Sequence, residues 1–296
     1  MQIITPVDFT TGMLISSNAT ESYPAWVSGA NYNTGNIIWY TDGIYQALVN
    51  HTSTTVPGSD PSHWLKIAPS NHYACFDRQS GNATKATTNL TFTISSGKFN
   101  SIALIGMTGA ETINIKVRDS LGGTIMWEKS INLTTSNISD WFEYFFNDPV
   151  TKLTQFIFSN IPSTSTSHIT FTVTGTTLSL GEFIFGDNMV FGTTQYGAKA
   201  GIIDYSKKTT DDFGNTTLVI RPYSKRLTCS VMVSTVDLNK VQSTLYKIRA
   251  KPVVWIATDN EMYSESLIVY GFYKDFNCDI NYPTFGLYSL EIEGLA

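Results

Sequence analysis

The sequence runs Ile169-Thr170-Phe171-Thr172-Val173-Thr174-Gly175 at the point that most clearly indicates its fold. Apolar and small polar residues alternate in this stretch, so an extended chain would place the apolar side chains on one side only. The stretch Ile113-Asn114-Ile115-Lys116-Val117 repeats the pattern. Alternation of this kind is typical of a β-strand with one buried face.

Further segments with β character recur at short spacing between residues 69 and 188. The predicted strands are Asn89–Ile94, Ser101–Met107, Thr112–Arg118, Thr124–Trp127, Trp141–Phe146, Gln155–Ser159, Ile169–Val173 and Gly181–Phe185. Turn sequences that contain glycine separate them, and no helical pattern intervenes. About eight strands in this arrangement predict a two-sheet jelly-roll or β-sandwich.

The region 189–296 has a different character, because one helical pattern lies among its strands. Asp237 is the expected N-cap of a helix whose apolar residues follow helical spacing, and Pro252 is expected to stop it. The predicted strands are Thr217–Arg221, Lys225–Ser234, Pro252–Ala257, Leu267–Phe276 and Leu287–Ile292. One helix over about five strands predicts an α+β module.

Residues 23–68 are rich in aromatic and turn residues and predict a small separate β module. Asp42-Gly43 lies between two strand-like segments, 37–40 and 44–47, and indicates a hairpin because this pair accepts tight-turn backbone angles. So small a module needs its tryptophans as core. The predicted organisation is therefore an arm (1–22), this module (23–68), a β-sandwich (69–188) and an α+β domain (189–296), mainly β overall.

Composition argues against several classes of function. The net charge of −5 over 296 residues, with charged residues at 15%, does not favour a nucleic-acid partner, whose binding needs clustered basic residues. Cys75, Cys229 and Cys278 lack CxxC spacing, so free thiols are expected rather than disulfides or a zinc site. Neither a signal peptide nor an apolar run of membrane-spanning length is recognisable. We therefore expect synthesis in a cytoplasm and no membrane insertion.

Motifs of catalysis and cofactor binding are missing from the sequence. The histidines are scattered, and no GxSxG, HExxH or phosphate-loop pattern occurs. The acidic groups that could form a glycosidase pair are Asp204 with Asp211 and Asp212, and Glu291 with Glu293. The first group is typical of a solvated loop or a subunit contact and the second of a solvent-facing strand edge. We predict no catalytic residue, no metal, no cofactor and no enzymatic activity.

The small module resembles the carbohydrate-binding modules of families 5 and 12. The resemblance rests on Trp26, Tyr32, Gly35, Ile38, Tyr40, Gly43, Tyr45, Ala47, Val56-Pro57-Gly58-Ser59-Asp60 and Trp64. It implies the fold of that module, but Leu48-Val49-Asn50-His51 stands where sugar-binding members carry adjacent aromatics. Trp39 and Tyr40, with Trp127 and Trp141 in the sandwich, remain as candidates for carbohydrate stacking, and core or interface roles are the alternative for these aromatic residues.

A wider resemblance covers nearly the whole length of the chain. Its phrases are Ile4-Thr5-Pro6, Ser70-Asn71-His72-Tyr73-Ala74-Cys75-Phe76-Asp77, Tyr196-Gly197-Ala198, Asp204-Tyr205-Ser206-Lys207-Lys208, Pro252-Val253-Val254-Trp255-Ile256 and Val269-Tyr270-Gly271-Phe272-Tyr273-Lys274-Asp275-Phe276. Together they look like a group of tailed-bacteriophage virion proteins. In addition, the stretch 169–186 resembles the final strands of galactose-binding-like jelly-rolls.

The phage resemblance implies a structural role in the tail, with other virion proteins as partners. A cyclic homo-oligomer is the usual way to build such an assembly from one chain, and the aromatic residues Tyr270, Phe272 and Tyr273 are the candidate contact face. The alternative function is a non-enzymatic adhesin that binds a host cell-surface glycan.

Overall fold

The computed structural model describes residues 1–133, 153–210, 212–258, 264–280 and 282–295. These residues are mainly β, with several sheets and two α-helices, which confirms the predicted multi-domain, mainly β fold class. The strands are β1 Gln2–Pro6, β2 Leu14–Ser17, β3 Ala30–Tyr32, β4 Ile37–Tyr40, β5 Gly43–Ala47, β6 His51–Ser53, β7 Trp64–Pro69, β8 Thr84–Ala86, β9 Asn89–Ser95, β10 Ser101–Arg118, β11 Ile125–Asn132, β12 Phe156–Phe158, β13 His168–Val190, β14 Thr193–Thr194, β15 Lys199–Asp204, β16 Lys207–Thr210, β17 Thr216–Val219, β18 Tyr223–Ser234, β19 Val253–Ile256, β20 Ile268–Asp279 and β21 Phe285–Gly294. The helices are α1 Leu238–Lys247 and α2 Ser264–Leu267.

Contacts within the chain divide it into two compact units. The middle unit contains residues 8–78 and 82–184, and the terminal unit contains residues 1–7, 79–81 and 185–296. The small aromatic module and the strands that follow it thus belong to the same unit. The finer division into four segments at residues 22, 68 and 188 stays a prediction.

Two strands, β10 and β13, are longer than the sequence predicts. β10 continues from Ser101 to Arg118 through Gly106 and Gly109, whose φ angles are +68° and +75°. Only glycine adopts such angles without strain, so these two residues carry the strand across a region where two separate strands were expected. The alternation in β13 is confirmed, since Ile169, Phe171 and Val173 are buried and pair in register with β9. The predicted strand 141–146 lies outside the described residues.

The aromatic module forms two small sheets, β3–β6 and β4–β5–β7, around one core. The residues at the centre of this core are Tyr32, Ile38, Tyr45, Ala47 and Trp64. The predicted β4–β5 hairpin is confirmed, but its two loop residues are Thr41 and Asp42. Thr41 takes the positive φ, +50°, and Gly43 is already the first residue of β5.

Gly43 is required by packing and not by the turn. A Cβ atom at this position would lie 2.8 Å from a ring carbon of Tyr45 and 2.7 Å from Lys66 Cε. We expect Gly43→Ala to lower the free energy of unfolding by about 1–3 kcal/mol, because the buried Tyr45 ring must shift. Urea unfolding measures this effect. The matched control is Gly12→Ala, where no atom lies within 4 Å of the added methyl group, and equal effects of the two substitutions would contradict the explanation.

The terminal unit is a sheet in the order β13–β1–β19–β20–β21–β18, to which β13 contributes residues 185–190. β14 and β15 both pair with β18 along the edge that faces away from β21. Helix α1 buries Leu238, Val241 and Leu245 against this sheet, as the helical spacing predicts. Asp237 is the N-cap residue, as predicted, and its carbonyl accepts a hydrogen bond from the Val241 N–H at 2.9 Å, but its side chain makes no capping hydrogen bond.

The first and last strands of the described chain both lie inside this sheet. β1 pairs with β13 on one side and with β19 on the other, and Ile3 and Ile4 are fully buried. β21, which confirms the predicted strand Leu287–Ile292, lies between β20 and β18. Cys75 and Cys229 are buried free thiols and Cys278 is a half-buried one, as predicted.

Candidate functional site: an exposed β arm

Trp39 and Tyr40, the predicted sugar-stacking pair, point to opposite faces of β4 because successive residues of a strand alternate. The Tyr40 ring lies 5.3 Å from the Trp26 ring and packs against the module core. The Trp39 ring lies 5.6 Å from the His72 ring on the other face. Both side chains are half-buried. The two rings therefore do not form a single platform for one sugar.

The third candidate, Trp127, also packs against its own unit. Trp127 is half-buried on β11, and its ring lies 5.9 Å from the Phe158 ring. This edge contact is typical of packing between aromatic side chains. The fourth candidate, Trp141, lies outside the described residues. Among the three described candidates, each ring contacts an aromatic ring of its own unit and not another candidate.

The three residues predicted as an oligomer interface, Tyr270, Phe272 and Tyr273, have different environments. Tyr270 is buried, so the premise that it forms exposed aromatic surface is wrong for this residue. Tyr273 donates a hydrogen bond from its hydroxyl to the Leu245 carbonyl at 3.0 Å, which ties β20 to helix α1. Phe272 is half-buried and lies opposite Glu293 on the other face of the sheet from Tyr273. Only Phe272 retains a position that another copy could contact.

The carboxylates considered for catalysis have ordinary surface environments. Asp204 is exposed, and hydrogen bonds from Ser206 lower the pKa of its carboxyl group. Asp211 lies outside the described residues, and Asp212 is exposed. Glu291 forms ion pairs with Arg226 at 2.8 Å and with Lys274 at 3.6 Å.

Glu293 lies two positions from Glu291 and accepts a hydrogen bond from the Tyr205 hydroxyl at 3.0 Å. The two glutamates occupy one face of β21, but β21 pairs with β20 on one side and with β18 on the other, so the predicted strand edge is wrong. Among the described residues, no group of three or more His, Cys, Asp or Glu side chains is placed to hold a metal ion.

One buried acid, Glu182, was missed by the sequence analysis. Its side chain is on β13, only 5% of the residue is exposed, and neither carboxylate oxygen has a donor within hydrogen-bonding geometry, although the Arg78 backbone N–H lies near enough to lower its pKa slightly. Burial raises its pKa to about 9, with a further contribution from nearby Asp77 that Arg78 offsets in part. The signal was present in the strand alternation, because Glu182 occupies the same face as the buried Leu180 and Ile184.

The feature that differs most from an ordinary monomer surface is the segment 199–223, which we call the β arm. It comprises β15, the β16–β17 hairpin and the chain up to the first residue of β18. None of its described residues is buried, and all except Ile203 and Ser206 are exposed. The exposed apolar side chains of the arm are Ile202 (65%), Tyr205, Phe213, Leu218 (62%), Val219, Ile220 (83%) and Tyr223.

The arm carries apolar residues on both of its faces. In the hairpin, Leu218 pairs with Lys208 and Val219 pairs with Lys207, and these two pairs point in opposite directions. β15 links the arm to the main sheet through its pairing with residues 223–228 of β18, and the Tyr205 hydroxyl adds a hydrogen bond to Glu293 on β21. The sequence predicts a strand at 217–221, which the structure confirms as β17, but it predicts a loop around Asp204 where the structure has β15 and β16.

Comparisons with known proteins add no assignment. No family model matches the chain, and no curated protein matches it. No helix among the described residues is long and apolar enough to cross a membrane.

Proposed function

We propose that this chain is a non-enzymatic structural component of a bacteriophage tail. In this proposal the chain is synthesised in the host cytoplasm and becomes part of the virion as a tail-tip, baseplate or adaptor protein. It assembles there with other virion proteins and with further copies of itself in a cyclic ring. The observation that carries the proposal is the β arm, a 25-residue segment without a buried residue among those described.

An arm of this kind is poorly stabilised in an isolated chain. A two-stranded hairpin without a packing partner is marginally stable in water. Each large apolar side chain left in water forgoes about 1.5–3 kcal/mol of burial energy. The arm exposes several such side chains on two faces, so contact with another protein chain stabilises it far more than solvent does. Structural proteins of large assemblies gain their stability in this way.

The arrangement of the aromatic residues in the middle unit does not favour the alternative of a glycan-binding adhesin. Trp39 and Tyr40 lie on opposite faces of their strand, and both already contact aromatic rings of their own unit. Sugar stacking requires an exposed ring face. We therefore propose assembly, and not glycan recognition, as the function.

The test is the protein content of purified particles. We expect quantitative mass spectrometry of gradient-purified virions of the phage that encodes the chain to detect it at a fixed whole-number ratio to a known tail protein. Antibody labelling in electron microscopy is expected to mark the tail. The control is an early, non-structural protein of the same phage, which should be depleted by the same purification. Presence of the chain in infected cells together with its absence from particles would contradict the proposal.

A further inference from the structure

The β arm offers an apolar contact surface on each of its two faces. Leu218 and Val219 are adjacent residues of β17, so their exposed side chains point to opposite faces of the hairpin. Either face of the hairpin can therefore pack against a neighbouring chain.

Basic residues outnumber acidic residues in the arm by one. Its four basic residues are Lys199, Lys207, Lys208 and Arg221, and its three acidic residues are Asp204, Asp211 and Asp212. None of these four basic side chains forms an ion pair within the described part of the chain. Lys207 and Lys208 also point to opposite faces of the hairpin, next to Val219 and Leu218. Each face of the arm thus offers an apolar side chain beside an ammonium group.

A complementary surface exists on the same unit. The outward face of the β20–β21 strand pair carries Phe272, Asp275, Asp279, Glu291 and Glu293, whereas Tyr288, Leu290 and Ile292 point into the core. We call this outward surface the acidic face. Glu291 is paired with Arg226 and Lys274, and Glu293 accepts a hydrogen bond from Tyr205 of the same copy's arm. Within the described residues, Asp275 and Asp279 form no ion pair, so these two carboxylates of the face remain open to a basic partner.

We propose that the β arm of one copy docks on the acidic face of a second copy. The charge complementarity between the arm and this face selects a second copy as the occupant, because the same unit supplies both surfaces. The contact is head-to-tail, since one copy contributes the arm and the other contributes the face, and repetition of such a contact produces a ring or a filament. This inference rests on the proposed structural function and adds to it the surface through which copies meet.

The experiment uses two full-length variants that each destroy one half of the contact. Leu218→Asp with Ile220→Asp disables the arm, and Asp275→Lys with Asp279→Lys disables the face. We expect the wild-type chain to form oligomers larger than dimers in sedimentation velocity, and each variant alone to remain a monomer. An equimolar mixture of the two variants retains one intact arm and one intact face, so we expect it to stop at a 1:1 heterodimer.

The control places the same substitution on an exposed apolar residue outside the arm. Val236 is 88% exposed in the terminal unit, and Val236→Asp is expected to leave the oligomer unchanged. Since all substituted positions are exposed, circular dichroism spectra and melting temperatures should match those of the wild type.

Three results would overturn the inference: a wild-type chain that is monomeric at every concentration, an arm variant that assembles normally, or a mixture of variants that gives no heterodimer. A monomeric chain that is nevertheless present in virions would overturn only the contact between copies and would assign the arm to a different virion protein. A chain that assembles as described but is absent from virions would overturn only the proposed function.

Discussion

Replacement of Glu182 by glutamine is expected to raise the free energy of unfolding by about 4 kcal/mol at pH 8 and by less than about 1 kcal/mol at pH 5. The folded chain buries this carboxyl group with no donor in full hydrogen-bonding geometry, and burial raises its pKa to about 9. The unfolded chain exposes the same group to water, where it ionises near pH 4.5. Glutamine has nearly the same shape and carries no charge at any pH, so it removes the cost of retaining a proton.

The direction in which stability changes with pH follows from the raised pKa of Glu182. An acid whose folded-state pKa is raised binds its proton more tightly in the folded chain. Burial of the protonated carboxyl group therefore costs no stability below about pH 4.5. The free energy of unfolding falls as the pH rises from 4.5 towards 9. The wild-type chain should lose stability across this range, and Glu182→Gln should lose much less. Because a domain is stable by only about 5–15 kcal/mol, a change of this size is a large part of the total.

Urea unfolding at several pH values between 5 and 8.5, followed by circular dichroism, measures the difference. The matched control is Glu128→Gln in the same unit, where hydrogen bonds from Asn114 and Lys116 lower the pKa of an exposed carboxyl group. This control should show no gain that increases with pH. Parallel pH profiles for the wild type and Glu182→Gln would show that Glu182 is ionised in the folded chain and would contradict the prediction.

The second large effect is expected at Trp255, the largest fully buried side chain in the chain's described part. Its ring packs edge-on near the rings of Phe191 and Tyr273, at centroid distances of 6.5 and 6.2 Å. Its indole N–H donates to the Gly271 carbonyl at 3.0 Å. Trp255→Ala removes both the packing and the hydrogen bond, and we expect it to cost about 3–5 kcal/mol of folding stability.

The variant Trp255→Phe separates the two contributions. It retains an apolar ring but removes the donor to Gly271, so we expect an intermediate loss of about 1–3 kcal/mol. The control is Tyr196→Ala, a truncation of a fully exposed aromatic residue in the same unit, which should change stability by less than about 0.5 kcal/mol. Urea unfolding of all three variants tests the order. A loss at Trp255→Ala no larger than that at Tyr196→Ala would contradict the packing described here.

These two residues also illustrate different degrees of predictability. Trp255 lies in an apolar run, 252–257, whose composition indicates a buried strand, and the structure confirms that strand as β19. Glu182 lies on the buried face of an alternating strand, but carboxylates are so rarely buried without a partner that the pattern alone does not identify it. Its state depends on neighbours, Asp77 and Arg78, that are about a hundred residues away in the chain.

Properties that depend on near neighbours in the chain were determined by the sequence. The alternation in β13, the helical spacing in α1 and the hairpin signal around Asp42 each predict an element that the structure confirms, because backbone periodicity and turn preferences operate over a few residues. The mainly β fold class follows from the sum of such local signals.

Properties that depend on what covers a residue were decided only by the tertiary structure. Tyr270, Phe272 and Tyr273 look equivalent in the sequence, yet one is buried, one lies on the outward face and one bonds to helix α1. The β arm has the strand character of the core strands, but no other segment of the terminal unit buries it. Burial arises from the packing of distant segments, and the free energy of that packing is not encoded in any single stretch of the chain.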